Sequence, residues 1–487
     1  STPGPGVGGP RHGRSMSPFP NLALAGIELT ALALVLLASV QNGLHVVQLV
    51  LAARALRDDP PQPRSELVWQ RTSEEAPSIS ILAPAYNEAE TIVESVRSLL
   101  LQQYPSFEVV VINDGSTDGT LEVLRDAFGL EQVRRDSAAT LSHTPVRGLF
   151  TSRLQPALLV IDKENGGKAD ALNAGLNYTK NAVFCSMDAD SILEPDALLR
   201  AVQPFIADPE RVIAAGGTVR IANGCLVAGG RVKRYRLPRD PLALLQTVEY
   251  MRAFLMARLA WSRVGTLTII SGAFGLFRRS AVIKAGGYAR GLVGEDMELV
   301  LRLHRLQREQ KREYKIAFVP EPVCWTEAPE TLKSLSRQRR RWQRGSLEAF
   351  ALHRTMLFNP RYGRIGFAGL GGVLVVDVLG PVAEILGYLL LPTFCLLGVL
   401  SVEFLLAFLA VSIVFGIAVS VGALVLEEQQ LRRASQSRDL LVLAAWAVVE
   451  NLGYRQLNSV WRLMGCWDWL RGGRGWGEMQ RKGFARA

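Results

Sequence analysis

The chain has 487 residues, of which 48% are hydrophobic and 21% are charged, and its formal charge is +10. This length allows one water-facing domain and a second substantial part, and the mixture of apolar and charged residues predicts membrane segments beside that domain. The sequence carries no zinc-finger spacing, no aromatic RNA-binding strand and no basic-zipper heptads, so we expect no nucleic-acid partner. The excess of Lys and Arg is instead typical of membrane proteins, whose cytoplasmic loops are basic.

Cysteine usage argues against a disulfide framework. The five cysteines are dispersed, with no Cys-x-x-Cys pair and no metal-type spacing: Cys185, Cys225, Cys324, Cys395 and Cys466. An odd and scattered set fits a reducing compartment for the main domain.

The N-terminal part predicts one membrane helix between two polar segments. Residues 1–20 are rich in Gly, Pro, Ser and Arg and are predicted to form a flexible tail. Residues 21–56 are mostly apolar and exceed the roughly 20 residues that span a bilayer. A cleaved signal peptide is the alternative, but the apolar stretch is too long for one. Residues 57–78 are predicted to form a polar linker.

Residues 79–332 predict an α/β domain. Apolar strands alternate with amphipathic helices, which indicates a mostly parallel sheet with right-handed crossovers. The predicted strands are Ile79–Ala85, Phe107–Ile112, Ala157–Ile161 and Ala182–Met187, and the predicted helices are Glu88–Gln103, Asp118–Phe128 and Lys168–Tyr178. Residues 211–252 are less regular, and the basic run 229–236 is interpreted as an exposed hairpin on a solvated surface rather than as a ligand site.

Residues 363–465 are predicted to contain three transmembrane helices. The apolar segments are Gly363–Leu400, Phe404–Leu426 and Leu440–Leu457. A break at Gly380-Pro381 would divide the first segment and give four helices, but each half would be short for a span. Three helices place the basic, amphipathic tail 466–487 outside, against the positive-inside tendency. Three are favoured, and four stay open.

The strand Ala182–Met187 ends on Asp188-Ala189-Asp190. Open α/β sheets bind ligands at the carboxyl ends of their strands. Two carboxylates there suit a hard divalent cation and a substrate with phosphates. An Asp-rich turn is the alternative, because Asp is common in turns for local reasons.

Three further motifs lie at the ends of predicted elements. Asp114 ends the second strand, where it is placed to accept hydrogen bonds from a base or a ribose. Lys168 begins a helix after two glycines and offers a positive charge to phosphate, without the spacing of a Walker A loop. Glu295 and Asp296 open a helix, where one carboxylate is a candidate general base. Acids are also common at helix N-termini because of the helix dipole.

The order of these motifs resembles family 2 glycosyltransferases. In chain order the motifs are Tyr86-Asn87-Glu88, Asn113-Asp114-Gly115-Ser116, Lys168 with Asn173, Asp188-Ala189-Asp190, Gly294-Glu295-Asp296 and Gln338-Arg339-Arg340-Arg341-Trp342. The last is similar to the Gln-x-x-Arg-Trp signature of the processive, membrane-embedded members, the synthases of cellulose, chitin, hyaluronan and poly-N-acetylglucosamine. The resemblance implies a Rossmann-like GT-A fold for a cytosolic domain, combined with a helical transmembrane region and with amphipathic interface helices over residues 333–362.

The resemblance also implies a role for each motif residue. The donor nucleotide would be bound by Tyr86, Glu88, Asp114, Lys168, Asp188, Asp190, Gln338 and Arg341. A Mg²⁺ or Mn²⁺ ion would be held by Asp190 and Asp188. Asp296 would be the general base, and the acceptor would be contacted by Trp342, Glu295, Ser271 and Gly272.

Two features of the motifs need separate mention. Gly294 stands where the family commonly has Thr, which affects the fine positioning of the base and not its presence. The arginines around the signature predict a basic helix at the lipid headgroups, with Arg341 facing the site; they are Arg337, Arg339, Arg340 and Arg344.

These roles imply an inverting, metal-dependent hexosyltransferase in the lipid bilayer. It would transfer sugar from a UDP-sugar, with UDP-N-acetylglucosamine favoured, to the non-reducing end of a growing β-linked polysaccharide that passes through the membrane. Non-processive transfer to a lipid or lipid phosphate is the alternative, and a transporter or receptor with a nucleotide-binding module is a third hypothesis. We expect a multi-pass protein of the inner or plasma membrane with a cytoplasmic catalytic domain. An accessory secretion subunit or a homo-oligomer is left open.

Overall fold

A ten-stranded mixed sheet forms the centre of the α/β domain. The computed structural model describes residues 19–59, 76–431 and 437–472. The strands, numbered β1 to β12, are Ile79–Ala85, Phe107–Asp114, Leu130–Val133, Val146–Ser152, Leu158–Lys163, Val183–Ser186, Ile192–Leu193, Val212–Ile221, Leu226–Ala228, Arg231–Arg234, Gly275–Arg278 and Lys315–Thr326. Their order in the sheet is β3-β4-β5-β2-β1-β6-β11-β8-β12-β7, and β9 pairs with β10 separately.

Helices cover the sheet and form the rest of the described chain. Numbered α1 to α16, they are Phe19–Asp58, Ile92–Leu100, Thr120–Phe128, Lys168–Tyr178, Ala197–Ala201, Gln203–Ala207, Pro241–Tyr250, Leu259–Arg263, Arg279–Lys284, Glu295–Glu309, Leu332–His353, Leu370–Val373, Gly380–Leu396, Val402–Leu431, Ser437–Val449 and Arg455–Leu470. Segments of π-helix adjoin several of them, at Met251–Arg258, Ile365–Gly369, Leu374–Leu379 and Glu450–Tyr454. Most of the predicted tail 1–20, linker 57–78 and tail 466–487 lies outside the described residues.

The predicted α/β fold with a parallel core is confirmed. Strands β5, β2, β1 and β6 run parallel at the centre of the sheet. They are buried and rich in Val, Ile and Leu, as expected of strands covered on both faces. Antiparallel strands β4 and β11 flank this centre. The carboxyl ends of the parallel strands therefore meet along one edge, which carries the motif residues.

The strand β8 lies in the segment described above as less regular. It pairs with β11 and β12 and is buried along most of its length. Its two adjacent glycines interrupt the apolar pattern that predicts a strand. The second, Gly217, is required by packing, because a Cβ atom there would lie 2.4 Å from Cγ2 of Val323.

The basic run 229–236 forms the predicted hairpin. Strand β10 pairs with β9 in antiparallel register. Lys233 and Arg234 are exposed, whereas Tyr235 packs against Trp325, with ring centroids 5.9 Å apart. The hairpin is therefore anchored on the sheet by one aromatic face and presents its charges to solvent.

Three helical runs of the described residues are long and apolar enough to cross a membrane, namely Gly26–Asp58, Ile365–Leu396 and Val402–Glu428. The second run continues through Gly380-Pro381 without a break. The segment 440–457 is not one helix: α15 has 13 residues, and the backbone is non-helical at Leu452 and Gly453 before α16 begins. Thirteen residues are short for a span. The number of C-terminal spans stays a prediction.

Ion pairs connect the α/β domain to these helices. Arg252 binds Glu450, with a nitrogen–oxygen distance of 2.5 Å, and donates a hydrogen bond to Ser420 of α14 over 2.8 Å. Arg220 of β8 pairs with Glu427, near the end of α14. Glu450 is only 2% exposed, so its charge is balanced inside the protein by Arg252.

Replacing Arg252 by Met should lower the thermal unfolding midpoint of the full chain in detergent micelles. The change leaves the Glu450 carboxylate buried without its cation, which costs about 3–5 kcal/mol. Adding Glu450→Gln should recover part of this loss.

The matched control for this change is Arg263→Met. Arg263 pairs with Asp58, and the two side chains are 52% and 47% exposed. Exposed pairs contribute about 0–1 kcal/mol. A fall in the midpoint no larger than that of the control would contradict the role given to Arg252.

Candidate active site

One cavity of about 1320 Å³ brings together every site residue predicted from the sequence. Tyr86 and Glu88 follow β1, Asp114 ends β2, and Asp188 and Asp190 follow β6. The remaining predicted residues on its wall are Lys168, Ser271, Gly272, Glu295, Asp296, Gln338, Arg341 and Trp342. The cavity thus joins the carboxyl edge of the sheet to the signature helix α11.

Asp114 fixes the loop that precedes α4. Its carboxylate accepts hydrogen bonds from the backbone N–H groups of Gly166 and Gly167, at 3.0 and 2.7 Å, and binds the ammonium group of Lys163. Lys163 is fully buried and also binds Asp170, at 2.9 Å. A buried cation between two carboxylates leaves the loop little freedom. This structural role of Asp114 comes in addition to the nucleotide contact predicted for it.

Lys168, the first residue of α4, lies among the acidic groups of the cavity. Its ammonium nitrogen is 2.5 Å from Oδ1 of Asp188, 3.6 Å from Oε1 of Glu295 and 3.3 Å from the carbonyl oxygen of Gly272. Burial alone would lower the pKa of Lys168, but Asp188, Glu295 and Asp296 raise it above its usual range. Lys168 is therefore a permanent positive charge at this point.

Two carboxyl groups of the cavity have raised pKa values, whereas an acid in an ion pair ordinarily has a lowered pKa. Burial raises the pKa of Glu295 to about 7, opposed by Lys168 and assisted by Asp296. Burial and the neighbouring charge of Asp188 raise the pKa of Asp190. Perturbed acids in a cleft are typical of functional sites.

Asp296 is held in one orientation by backbone donors. Its Oδ2 atom accepts a hydrogen bond from the N–H group of Gly272 over 3.0 Å, and its Oδ1 atom accepts one from Met297 over 2.8 Å. The residue lies in the first turn of α10, where the helix dipole favours a carboxylate. Asp296 is only half-buried and lines the cavity, so a ligand proton can reach it.

Helices α10 and α11 touch through two glycines. A Cβ atom on Gly294 would lie 2.5 Å from the carbonyl oxygen of Gly345, so only Gly fits at this contact. The N–H group of Val293 donates to Oε2 of Glu348 over 2.8 Å and reinforces it. The departure from the family pattern at Gly294 is thus explained by packing. It sets how closely the helix with Trp342 approaches the helix with Asp296.

The signature helix presents Trp342 to the cavity and pairs two of its arginines with acidic residues of the protein. Trp342 is 44% exposed, and the guanidinium carbon of Arg339 lies 4.5 Å from its ring centroid. Arg339 is buried and binds Glu249 over 2.6 Å. Arg340 forms two 2.7 Å hydrogen bonds with Asp468 of α16. Arg339 and Arg340 therefore face protein acids, and the position of this helix at the lipid headgroups stays a prediction.

Polar residues on or beside the long apolar helices complete the wall of the cavity, and the sequence analysis did not assign them. His45 and Gln48 of α1 and Asp377, before α13, line it. Arg462 of α16 binds Asp377 over 2.8 Å. The sequence did contain a signal for these residues, because polar residues within apolar spans are usually functional.

Asp188 and Asp190 are the carboxylates that fit a divalent cation. The described part of the chain has no cluster of three or more His, Cys, Asp or Glu side chains that could hold a metal. Two carboxylates fit Mg²⁺ when the other ligands are substrate phosphates and waters. The Lys168 ammonium group beside Asp188 shows that the site accepts a positive charge.

Residues 80–286 match the family described as glycosyl transferase family 2. The chain carries a family 2 glycosyltransferase domain. It is 29% identical over 289 residues to the poly-beta-1,6-N-acetyl-D-glucosamine synthase of Staphylococcus epidermidis, a match that covers 59% of each chain. The synthase of the same name from Staphylococcus aureus is 29% identical over 276 residues, covering 56% of each chain. The chain thus matches less than two thirds of the length of these curated relatives.

A solved structure shares the fold of the family 2 domain and its surroundings. The mannosyltransferase PcManGT of Pyrobaculum calidifontis, in complex with GDP-Man and Mn²⁺, aligns with a TM-score of 0.54 and 19% identity. The alignment covers 92% of this chain and 99% of the mannosyltransferase. The GT-A fold expected from the motifs is confirmed.

Replacing Gly294 by Thr, the residue common in the family, should impair this protein. The side chain would push α11 away from α10 and so separate Trp342 from Asp296. We expect at least a tenfold fall in glycosyl transfer by the purified protein, because small misplacements of reacting groups cost large factors in rate. Gly387→Ala is the matched control, since no atom lies within 4 Å of the added Cβ. Activity equal to the control would contradict the close-contact role.

Glu295→Gln should change how stability depends on pH. A carboxyl whose pKa is raised to about 7 in the folded state, from 4.5, stabilises the fold fully below about pH 4.5 and loses that contribution as the pH rises to about 7. The Gln variant lacks this loss, so its unfolding midpoint should exceed that of the wild type most clearly above pH 7. Parallel curves from pH 5 to 8, measured by thermal unfolding in micelles, would contradict the shift.

Proposed function

We propose that the protein is an inverting glycosyltransferase that extends a β-linked polysaccharide with sugar from a UDP-sugar. The observation that carries the proposal is the single cavity. Its wall includes the carboxylates Asp188, Asp190 and Asp296 and also Gln48 of the apolar helix α1 and Arg462 of α16. Such a cavity suits a donor held at the sheet edge and an acceptor that leads toward the membrane.

The chemistry follows from the groups around the cavity. The anomeric carbon of the donor loses its bond to the diphosphate oxygen, which keeps the electron pair, and gains a bond to an acceptor hydroxyl oxygen. Asp296 takes the proton of that hydroxyl. A single displacement inverts the anomeric centre, and one base suffices for it. The sugar of an α-linked donor therefore becomes β-linked.

Fixed positive charges favour departure of the diphosphate. Lys168 lies beside Asp188, and Arg341 lines the same cavity. Preorganised cations stabilise charge where it develops in the transition state. A Mg²⁺ or Mn²⁺ ion held by Asp188 and Asp190 would neutralise further charge on the leaving group. Tyr86, Glu88 and Asp114 are assigned to the uridine, and Gln338 to the diphosphate.

The acceptor is assigned to the part of the cavity around Trp342. A half-exposed indole backed by the Arg339 guanidinium offers a flat surface on which a sugar ring can pack. Glu295, Ser271 and Gly272 lie on the same cavity wall. The polar membrane residues beyond give a growing chain partners for its hydroxyl groups, which supports processive synthesis coupled to passage through the membrane.

N-acetylglucosamine is the proposed sugar, because the relatives with 29% identity are named for its polymer. The full-length purified protein should release UDP from UDP-N-acetylglucosamine and form a high-molecular-weight product that β-N-acetylglucosaminidases digest. Turnover of UDP-glucose alone would refute the donor, and a short, lipid-extractable product would refute polymer synthesis. We place the protein in the plasma membrane with its catalytic domain in the cytoplasm, where nucleotide sugars are made.

Asp296→Asn should reduce transfer about 100- to 10 000-fold, the usual contribution of a general base. Asn has nearly the same shape, and its one carbonyl oxygen can accept the hydrogen bond from either Gly272 or Met297, so the fold should be largely preserved. Asp126→Asn, an exposed carboxylate on α3, is the matched control and should leave the rate unchanged. Retention of full activity by the Asp296 variant would exclude this residue as the base.

A further inference from the structure

Arg258 is a cation in the cavity wall to which the mechanism above gives no role. It is the last residue of the π-helical segment Met251–Arg258 and lines the cavity. Its Nη1 atom is shielded from solvent and has no hydrogen-bond partner. Its guanidinium carbon lies 3.7 Å from the ring centroid of Phe254, so the aromatic ring fixes one face of the group.

The surroundings of Arg258 differ from those of the other buried arginines nearby. Arg252 binds Glu450 at 2.5 Å, and Arg339 binds Glu249 at 2.6 Å. Across residues 19–59, 76–431 and 437–472, no acidic side chain forms a salt bridge with Arg258. Shielding a cation from water without a partner costs several kcal/mol. A ligand that enters the cavity can supply the missing partner.

The base is the acidic group that acts most strongly on this arginine. Burial lowers the pKa of Arg258 to about 10, and the charge of Asp296, followed by that of Tyr250, opposes this shift. Arg258 and Asp296 both line this cavity. A guanidinium group has five N–H donors and no acceptor, so it recognises oxygen atoms with free lone pairs.

We propose that Arg258 binds the terminal sugar of the acceptor by donating hydrogen bonds to its oxygen atoms, beside the hydroxyl group that Asp296 deprotonates. The inference rests on the proposed function and adds a specificity residue to it. A sugar hydroxyl or acyl oxygen fits this group, because such an oxygen has free lone pairs for the guanidinium donors. The planar guanidinium group, with its fixed set of N–H donors, would orient the sugar so that one hydroxyl points at Asp296.

The test compares full-length wild type, Arg258→Met and Arg263→Met in detergent micelles. Met keeps an apolar stem against Phe254 and removes the donors, and Arg263 is an exposed arginine a few residues further along the chain. UDP release from UDP-N-acetylglucosamine is measured with and without a β-linked N-acetylglucosamine pentasaccharide. For Arg258→Met we expect the KM for the pentasaccharide to rise about 10- to 100-fold, the loss of a hydrogen bond to a charged group. Its KM for the donor and its hydrolysis without acceptor should stay within about twofold of wild type.

The outcomes separate this inference from the proposed function. The role of Arg258 is overturned, while the function stands, if the KM for the pentasaccharide is unchanged. It is also overturned if the KM for the donor rises as much as the KM for the pentasaccharide. Absence of UDP release by the wild type overturns both. If Arg258→Met does not fold, Arg258→Lys decides the question, because it keeps the charge but loses the planar guanidinium group. Its KM for the pentasaccharide should then rise several-fold, and an unchanged value counts against the proposal.

Discussion

The cavity depends on one positive charge among several negative ones. Lys168 lies at 2.5 Å from Asp188 and 3.6 Å from Glu295, and the charge of Asp296 also acts on it. Carboxylates gathered in a partly dry cleft repel one another and resist ionisation. Lys168 allows them to lie together, and its own position is set by α4 and by the buried Lys163–Asp114 pair that fixes the preceding loop.

A second constraint brings the two sides of the cavity together. The contact between Gly294 and Gly345 lets α11 approach α10 at backbone distance. The helix that presents Trp342 is thereby placed against the helix that begins at Glu295. Arg339 and Arg340 tie the same helix to Glu249 and to Asp468 of α16. The sheet positions Asp188 and Asp190, and helix packing positions Trp342.

Local patterns in the sequence predicted the parallel strands well. The bounds Ile79–Ala85 and Lys168–Tyr178 agree with the structure, because continuous apolar runs and a Gly-Gly start leave few alternatives. Strand β8 was not predicted, because Gly217 is explained only by the Val323 side chain of a strand far along the sequence.

The remaining differences have the same origin in contacts distant in sequence. Arg339 resembles an interfacial charge until Glu249 is seen beside it, and Arg258 carries no motif at all. The kink at Gly453 divides a segment that hydropathy alone presents as continuous. Glu249 lies on a different helix from Arg339, and single-sequence patterns do not reveal such a pair.

The shared wall of the cavity also determines when the site can exist during synthesis. Gln48 and Arg462 lie near opposite ends of the chain, yet both line the cavity. The family 2 domain leaves the ribosome long before α16, so it is at first without Asp468, the partner of Arg340, and without the Arg462 side chain. This part of the cavity wall closes only when α16 has packed. A nascent chain therefore gains the complete wall of this cavity only after α16 has packed against the rest of the structure.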